Sequence, residues 1–158
     1  MKRIGAGAGR NPISHFRITG ADGKPVTTFK PDQTKLMHFY LIRSDLTGFQ
    51  HVHSSMSTDG TWTAALAPAQ LGAYRAYTSF IGRDASGAAV PLVLSQQATV
   101  AGTATVTPLP PASATTQVDG YTLTLSGDQV TAGAARTLTV TVSKDGKPVT
   151  ELQPYLDT

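Results

Sequence analysis

Short turn signals recur along this chain, and they limit strongly what it can fold into. They separate short segments in which apolar and polar side chains alternate. Glycine supplies the positive φ that tight turns need, and alternation with a period of two lets one side of each segment enter a core. This arrangement predicts an all-β chain, an immunoglobulin-like antiparallel β-sandwich. The turn signals stand at residues 22–23, 44–48, 59–60, 68–72 and 86–87.

The composition favours strands over helices. Thr, Val, Ser, Gly and Pro are frequent, and Glu151 is the single glutamate among ten acidic residues. Such residues suit strands and turns and are poor helix formers. A hydrophobic content of 40% with 15% charged residues is typical of a folded chain. We predict strands near residues 15–19, 35–43, 48–53, 61–66, 73–80 and 90–100.

Charge and motif content argue against several function classes. The net charge of +3 is spread along the chain, whereas a nucleic-acid binder would show a basic stripe with interleaved aromatics. No apolar run is long enough for a signal peptide or a transmembrane helix. The run GAGAGR at 5–10 lacks a preceding strand and a following helix, so we interpret residues 1–13 as a flexible tail rather than a phosphate loop.

The hexapeptide DGKPVT occurs twice, at 22–27 and at 145–150, each time after an alternating strand. Six identical residues in matched context predict tandem homologous domains. A Pro/Ala/Ser/Thr-rich stretch at 107–118 reads as the linker between them. We therefore predict a first domain at 14–106 and a truncated second immunoglobulin-like repeat at 119–158.

The second repeat is too short to build a stable core alone, and there is no cysteine to staple it. We expect its strands, 121–125 and 137–142, to pair with each other as a hairpin or to lend the first domain a strand that it lacks. In the first domain, Tyr74 follows Gly72 at a strand entrance. We expect its hydroxyl to pin a tyrosine corner.

Three of the four histidines fall on one predicted hairpin. Segments 36–43 and 48–53 are joined by a four-residue loop, which sets Arg43 opposite Gly48. His38 then lies opposite His53, and Tyr40 lies opposite His51. Because residues two apart on a strand point to the same side, the three imidazoles share one face. The other face carries the apolar side chains Met37, Phe39, Leu41 and Val52.

Three imidazoles within reach of one ion predict a metal site at His38, His51 and His53. Imidazole suits Cu²⁺, Zn²⁺ and Ni²⁺, and the thioether of Met37 or Met56 could add a soft ligand for Cu(I). No Asp or Glu lies on the two strands, which argues against Ca²⁺ or Mg²⁺. The alternative is that the histidines only decorate a solvated strand face, and a one-residue register slip would separate them. His15 stands apart, and we expect it at the surface.

The segments FRITGADGKPVTTF, KLMHFYLIRSDLTGFQHVH and GYTLTLSG carry a family resemblance. The chain resembles bacterial, mainly actinobacterial, exported proteins with tandem immunoglobulin-like, YtkA-like domains, loosely called heavy-metal-binding. The resemblance covers residues 16–158 and implies a cell-envelope or extracellular setting. It also makes His38, His51 and His53 a family trait, although that family usually has Pro where this chain has Ser54.

These observations favour a non-catalytic bacterial envelope module that binds copper or zinc through the histidine hairpin. The alternative is a structural or protein-interaction module of the cell surface without a metal, whose partner would be an envelope protein. An enzyme is the least favoured class, because the sequence has no Gly-x-Ser-x-Gly elbow, no His-Glu-x-x-His helix and no paired acid and base carboxylates.

Overall fold

The computed structural model describes residues 13–153. The chain divides into two compact units, Met1–Leu109 and Pro110–Thr158, and the division falls inside the predicted linker. The tail predicted for residues 1–13, with its GAGAGR run, lies outside the described residues except for its last position. That position, Ile13, begins the first strand rather than ending a tail.

The first unit is an antiparallel β-sandwich, and no helix occurs among residues 13–153. A three-stranded sheet in the order β1-β5-β4 packs against a four-stranded sheet in the order β3-β2-β6-β7. The all-β prediction is therefore confirmed. The strands are β1 (Ile13–Phe16), β2 (His38–Arg43), β3 (Phe49–His53), β4 (Ser55–Met56), β5 (Trp62–Ala65), β6 (Gly72–Arg83) and β7 (Ala89–Val100).

The core lies between these two sheets and consists of two hydrophobic clusters. Phe16 packs against both clusters. Alternation along β2 sends Phe39 and Leu41 inward, as the sequence predicts. Phe29 packs edge to face with Trp62, 5.1 Å away between ring centroids, whereas the Phe16 ring lies nearly parallel to Trp62 at 6.3 Å. The buried members of the clusters are Phe39, Leu41, Ala64, Leu66, Tyr74 and Val100 in one, and Ile18, Met37, Trp62 and Phe80 in the other.

A tyrosine corner closes the entrance to β6. The Tyr74 hydroxyl donates a hydrogen bond of 2.9 Å to the Gln70 carbonyl oxygen, so the expected pinning role is confirmed. Burial raises the pKa of Tyr74, which keeps the hydroxyl protonated as a donor. Gly72 has φ of 130°, a conformation that side-chain-bearing residues rarely adopt, and a Cβ there would lie 3.3 Å from the Arg43 guanidinium.

Arg43, at the end of β2, extends its guanidinium into the interior and is only 4% exposed. One amino group donates to the Asp45 carboxylate and, at 3.2 Å, to the Thr47 hydroxyl. The remaining donors bind backbone carbonyls, at 2.9 Å to Leu71 and at 2.7 Å to Thr105. The hairpin loop is thereby joined to the segment before β6 and to the segment after β7.

The Asp45 carboxylate completes this polar corner. It accepts hydrogen bonds from the Thr47 hydroxyl at 2.7 Å and from the Thr107 amide at 3.0 Å. These bonds, together with the Arg43 guanidinium, hold the pKa of the Asp45 carboxyl well below its usual range. The charged carboxylate is therefore the form that the folded state stabilises.

We expect Arg43→Met to lower the free energy of unfolding by about 3–5 kcal/mol, because it leaves the Asp45 carboxylate buried without its partner. Urea unfolding followed by the fluorescence of Trp62, the single tryptophan, reports on this unit. The control is Arg75→Met, an exposed arginine on β6, which should change stability by about 0.5 kcal/mol or less. Equal losses in the two variants would contradict a structural role for the buried pair.

The lowered pKa of Asp45 predicts acid sensitivity of the first unit. A carboxyl whose folded pKa lies below the unfolded value of about 3.9 contributes stability above that pH, and the contribution is lost as pH falls towards the folded pKa. Asp45→Asn should therefore be less stable at pH 7 and lose less stability than the wild type between about pH 4 and pH 2. Urea unfolding across that range measures the slope, and the exposed Asp128→Asn serves as control. A slope in Asp45→Asn as steep as in the wild type would refute this role.

The second unit is one antiparallel sheet in the order β11-β10-β9-β8. Its two predicted strands pair with each other, so the hairpin alternative is confirmed among the described residues. The predicted linker was too long at its end, because its last four residues form β8 through a tight turn at Asp119 and Gly120, with φ of 49° and 79°. The strands are β8 (Thr115–Val118), β9 (Tyr121–Gly127), β10 (Leu138–Lys144) and β11 (Lys147–Pro148).

The repeated hexapeptide makes the same backbone contact in both units. The Val26 amide donates to the Ile18 carbonyl oxygen at 2.8 Å, and the Val149 amide donates to the Val142 carbonyl oxygen at 2.9 Å. The first turn, from Ile18 to Val26, is one residue longer than the second, from Val142 to Val149. Ile18 of the first copy therefore corresponds to Val142 of the second, which aligns β1 with β10.

Limited proteolysis should cleave first between residues 108 and 113. Thr107 is bound to Asp45 on one side of this stretch, and the Ala114 carbonyl accepts from Leu125 on the other, while the residues between are exposed. Elastase digestion with mass spectrometry of the first products would locate the cut. First cleavage in the connection between β9 and β10 would contradict the predicted linker.

Candidate metal centre

The histidine hairpin has the register that the sequence predicts. β2 and β3 pair antiparallel with His38 opposite His53 and Tyr40 opposite His51. The Arg43 amide also donates to the Gly48 carbonyl oxygen at 3.3 Å, which fixes the loop at four residues. Because opposed residues share a face, the three imidazoles project from the same side of the sheet.

The three imidazoles converge on one point. One ring nitrogen from each of them lies within 4.8 Å of the others. Ring centroids of His38 and His53 are 5.0 Å apart, as are those of His51 and His53. Exposure increases outward across the group, since His38 is buried, His51 is half-buried and His53 is exposed. The cluster therefore has a rigid inner member and an outer member open to solvent.

His38 is oriented by the backbone. Its Nε2 lies 3.1 Å from the Asp32 carbonyl oxygen, which can only accept, so Nε2 carries the proton. In the neutral ring, Nδ1 is then an acceptor, and it lies 3.2 Å from Nε2 of His51. A carbonyl that holds the far nitrogen of a histidine is the usual way in which proteins aim the near nitrogen at a metal.

The Asp32 carbonyl is supplied by a tight turn that the sequence pattern does not predict. Asp32 and Lys35 exchange backbone hydrogen bonds of 2.8 and 2.9 Å around Gln33 and Thr34. These two central residues have φ of 45° and 69°, which is uncommon for any residue other than glycine and strained for a β-branched threonine. No Gly, Asn or Asp marks the turn centre, so the usual sequence signal for such a turn is missing.

Tyr40 restricts the imidazole of His51, the half-buried member of the cluster. Its ring stacks on that of His51, with centroids 4.4 Å apart and an angle of 20° between the planes. The opposed positions of Tyr40 and His51 on β2 and β3 produce this contact. Stacking limits rotation of the His51 ring and so reduces the entropy that a bound ion would have to remove.

The surroundings favour neutral imidazoles. Burial lowers the pKa of His51 below its ordinary value, and the neighbouring His38 lowers it further. The pKa of His53 is also lowered, first by burial and then by His38, His51 and Lys35. Neutral imidazole is the form that binds a metal ion.

Comparison with known proteins places the chain in one family. The family model described as Domain of unknown function (DUF8832) matches residues 5–96 and 116–158. The chain belongs to this family. No curated protein and no solved structure matches it. The first matched stretch, residues 5–96, contains the whole histidine hairpin of this DUF8832 chain.

Two side chains considered from the sequence do not join the site of this DUF8832 chain. Met37 is fully buried in the core, because alternation places it on the face opposite His38. Met56 packs against the same core cluster. The prediction of a thioether ligand from either residue was therefore wrong. His15 is exposed at the surface, as expected, with its Nδ1 3.2 Å from the Thr63 hydroxyl.

Proposed function

We propose that this DUF8832 chain is a non-catalytic module that binds Cu²⁺ or Zn²⁺ through His38, His51 and His53. The observation that carries the proposal is the convergence of three imidazole nitrogens within 4.8 Å, with the innermost ring held by a backbone carbonyl. Metal–nitrogen bonds of about 2.0–2.1 Å at tetrahedral angles require ligand nitrogens about 3.3 Å apart. The 3.2 Å between His38 Nδ1 and His51 Nε2 already meets this requirement.

The donor set supports copper or zinc over a hard ion. All three donors are imidazole nitrogens, and no carboxylate among the described residues joins the group. Ca²⁺ and Mg²⁺ prefer oxygen ligands, whereas nitrogen sites favour Cu²⁺ in the series of divalent first-row metals and also suit Zn²⁺. Three protein ligands would leave a fourth position for water or another ligand, and His53, the outermost of the three imidazoles, is exposed to solvent.

The hydrogen bond between the imidazoles would be replaced by the ion. In the metal-free chain, the proton on His51 Nε2 satisfies the lone pair of His38 Nδ1. An ion between these nitrogens requires that His51 carry its proton on Nδ1 instead, which is a tautomer change rather than a rearrangement of the strands. Metal binding therefore leaves the sheet intact.

The cellular setting belongs to the same proposal. The resemblance to exported YtkA-like proteins supports a cell-envelope or extracellular location, where a module of this kind would bind or sequester the ion. The part of the chain that the structure describes contains no helix with the length and hydropathy needed to cross a bilayer. The competing function is a structural module in which the histidines only hydrogen-bond to one another.

Titration with Cu²⁺ and Zn²⁺, measured by calorimetry, tests the proposal. We expect one ion per chain in the wild type, and His51→Ala should bind at least about tenfold more weakly, a loss of about 1.4 kcal/mol or more. The matched control is His15→Ala, which removes an exposed histidine outside the cluster and should leave the affinity unchanged.

Circular dichroism should show the same β-rich fold in all three proteins, because the imidazole face is not part of the core. Equal affinity in the wild type and in His51→Ala would refute the metal site and favour the structural module. Equal weakening in His51→Ala and His15→Ala would show dispersed surface binding and would also refute it.

A further inference from the structure

Two leucines on β7 face the core side of the sandwich and are nevertheless exposed. Leu94 lies opposite Thr78, which lies opposite the core residue Phe39, so all three share the inner face. Leu94 is 47% exposed, and Leu92, two positions before it on the same face, is 39% exposed. Inner-face leucines are exposed only where the opposing sheet does not cover them.

A groove of about 580 Å³ occupies this uncovered region between β1 and β7. β1 is the outer strand of the three-stranded sheet and β7 is the outer strand of the four-stranded sheet, among the described residues. Within residues 13–153 the groove therefore runs between two strand edges that have no partner strand, and such edges readily accept a further strand. Its apolar lining includes Phe16, Ile18, Phe39 and Leu94.

The second unit shows which strand fits this edge. β10 corresponds to β1, because Val142 and Ile18 make the same hydrogen bond to the hexapeptide. In the second unit β10 lies between β11, which belongs to the hexapeptide, and β9, whose Leu123 pairs with Val142. Two positions away, Leu125 pairs with Val140, which corresponds to Phe16.

We propose that the outer edge of β1 accepts an extended antiparallel strand of the β9 type, supplied by another repeat of this family. In the β9 register the strand presents one leucine opposite Ile18 and one opposite Phe16, both on the side of the groove. These leucines cover Leu94, the inner-face leucine of β7 that lines the groove. The backbone of the strand pairs with the free edge of β1, which is the mode of recognition known as strand addition.

Each unit has a feature that the other does not show among the described residues. The first unit has an opposing sheet with exposed inner leucines, and it lacks a neighbour on the outer edge of β1 among the described residues. The second unit has the β9–β10 pair in a single sheet, where Leu123 is half-buried and Leu125 is 45% exposed. A β9-type strand from another repeat would complete the first unit as β9 completes β10.

A fluorescent peptide of residues 119–127, DGYTLTLSG, tests the proposal against the full chain by anisotropy. We expect saturable binding to the wild type. Leu94→Lys places a charge in the groove and should weaken binding at least about tenfold, since the peptide would no longer bury the Leu94 side chain. The matched control is Val93→Lys, on the opposite face of β7 and 65% exposed, which should leave binding unchanged.

Hydrogen exchange of the same complex locates the contact. We expect the peptide to protect amides of residues 13–18, and a peptide with both leucines replaced by serine should neither bind nor protect. Protection confined to β8–β10 would mean that the peptide exchanges with β9 in its own unit, which would overturn the proposal. Absence of peptide binding to the wild-type chain would also overturn it. Equal weakening by Leu94→Lys and Val93→Lys would exclude the groove as well.

Discussion

Arg43 and Asp45 form a buried ion pair in which each charged group has further partners, and this pair joins parts of the first unit that are distant in sequence. The guanidinium binds the hairpin loop, the Leu71 carbonyl before β6 and the Thr105 carbonyl after β7. The carboxylate binds the Thr107 amide. A buried pair offsets its desolvation only when its hydrogen bonds are satisfied, and here they are satisfied largely by backbone from three segments. The pair therefore holds the hairpin loop to the rest of the sandwich.

The loop that the ion pair anchors also decides the register of β2 and β3. With four residues in the loop, Phe39 and Leu41 face the core and His38 faces away from it. A slip of one residue would bury the imidazoles and expose the apolar side chains, so packing and histidine convergence depend on one register. The strained turn at Gln33 and Thr34 acts on the same face, because it places a carbonyl against His38. Core formation and preorganisation of the candidate metal centre are thus consequences of the same hairpin.

The two units share the repeated hexapeptide but differ in how many sheets cover their apolar side chains. In the first, two sheets enclose a core, whereas in the second a single sheet leaves apolar side chains such as Val140 exposed. A sheet with one uncovered apolar face gains little from burial, since the hydrophobic contribution scales with the area removed from water. Backbone pairing within the second unit is nevertheless continuous from β8 to β11. Its pairing of β9 with β10 is the observation behind the strand proposed for the outer edge of β1.

The strand content, the hairpin register and the shared face of the three histidines could be predicted from the sequence, because they follow from a period of two and a loop length. The sequence also located the tyrosine corner from Gly72 and Tyr74. It did not reveal the Asp32 carbonyl behind His38, the burial of Arg43 with Asp45, or the packing of Met56 against the core. Nor did it show the groove beside β1. These features depend on which distant segments meet, and alternation specifies the two faces of a strand but not what packs against them. Tertiary structure alone decided that one imidazole is held from inside while another remains open to solvent.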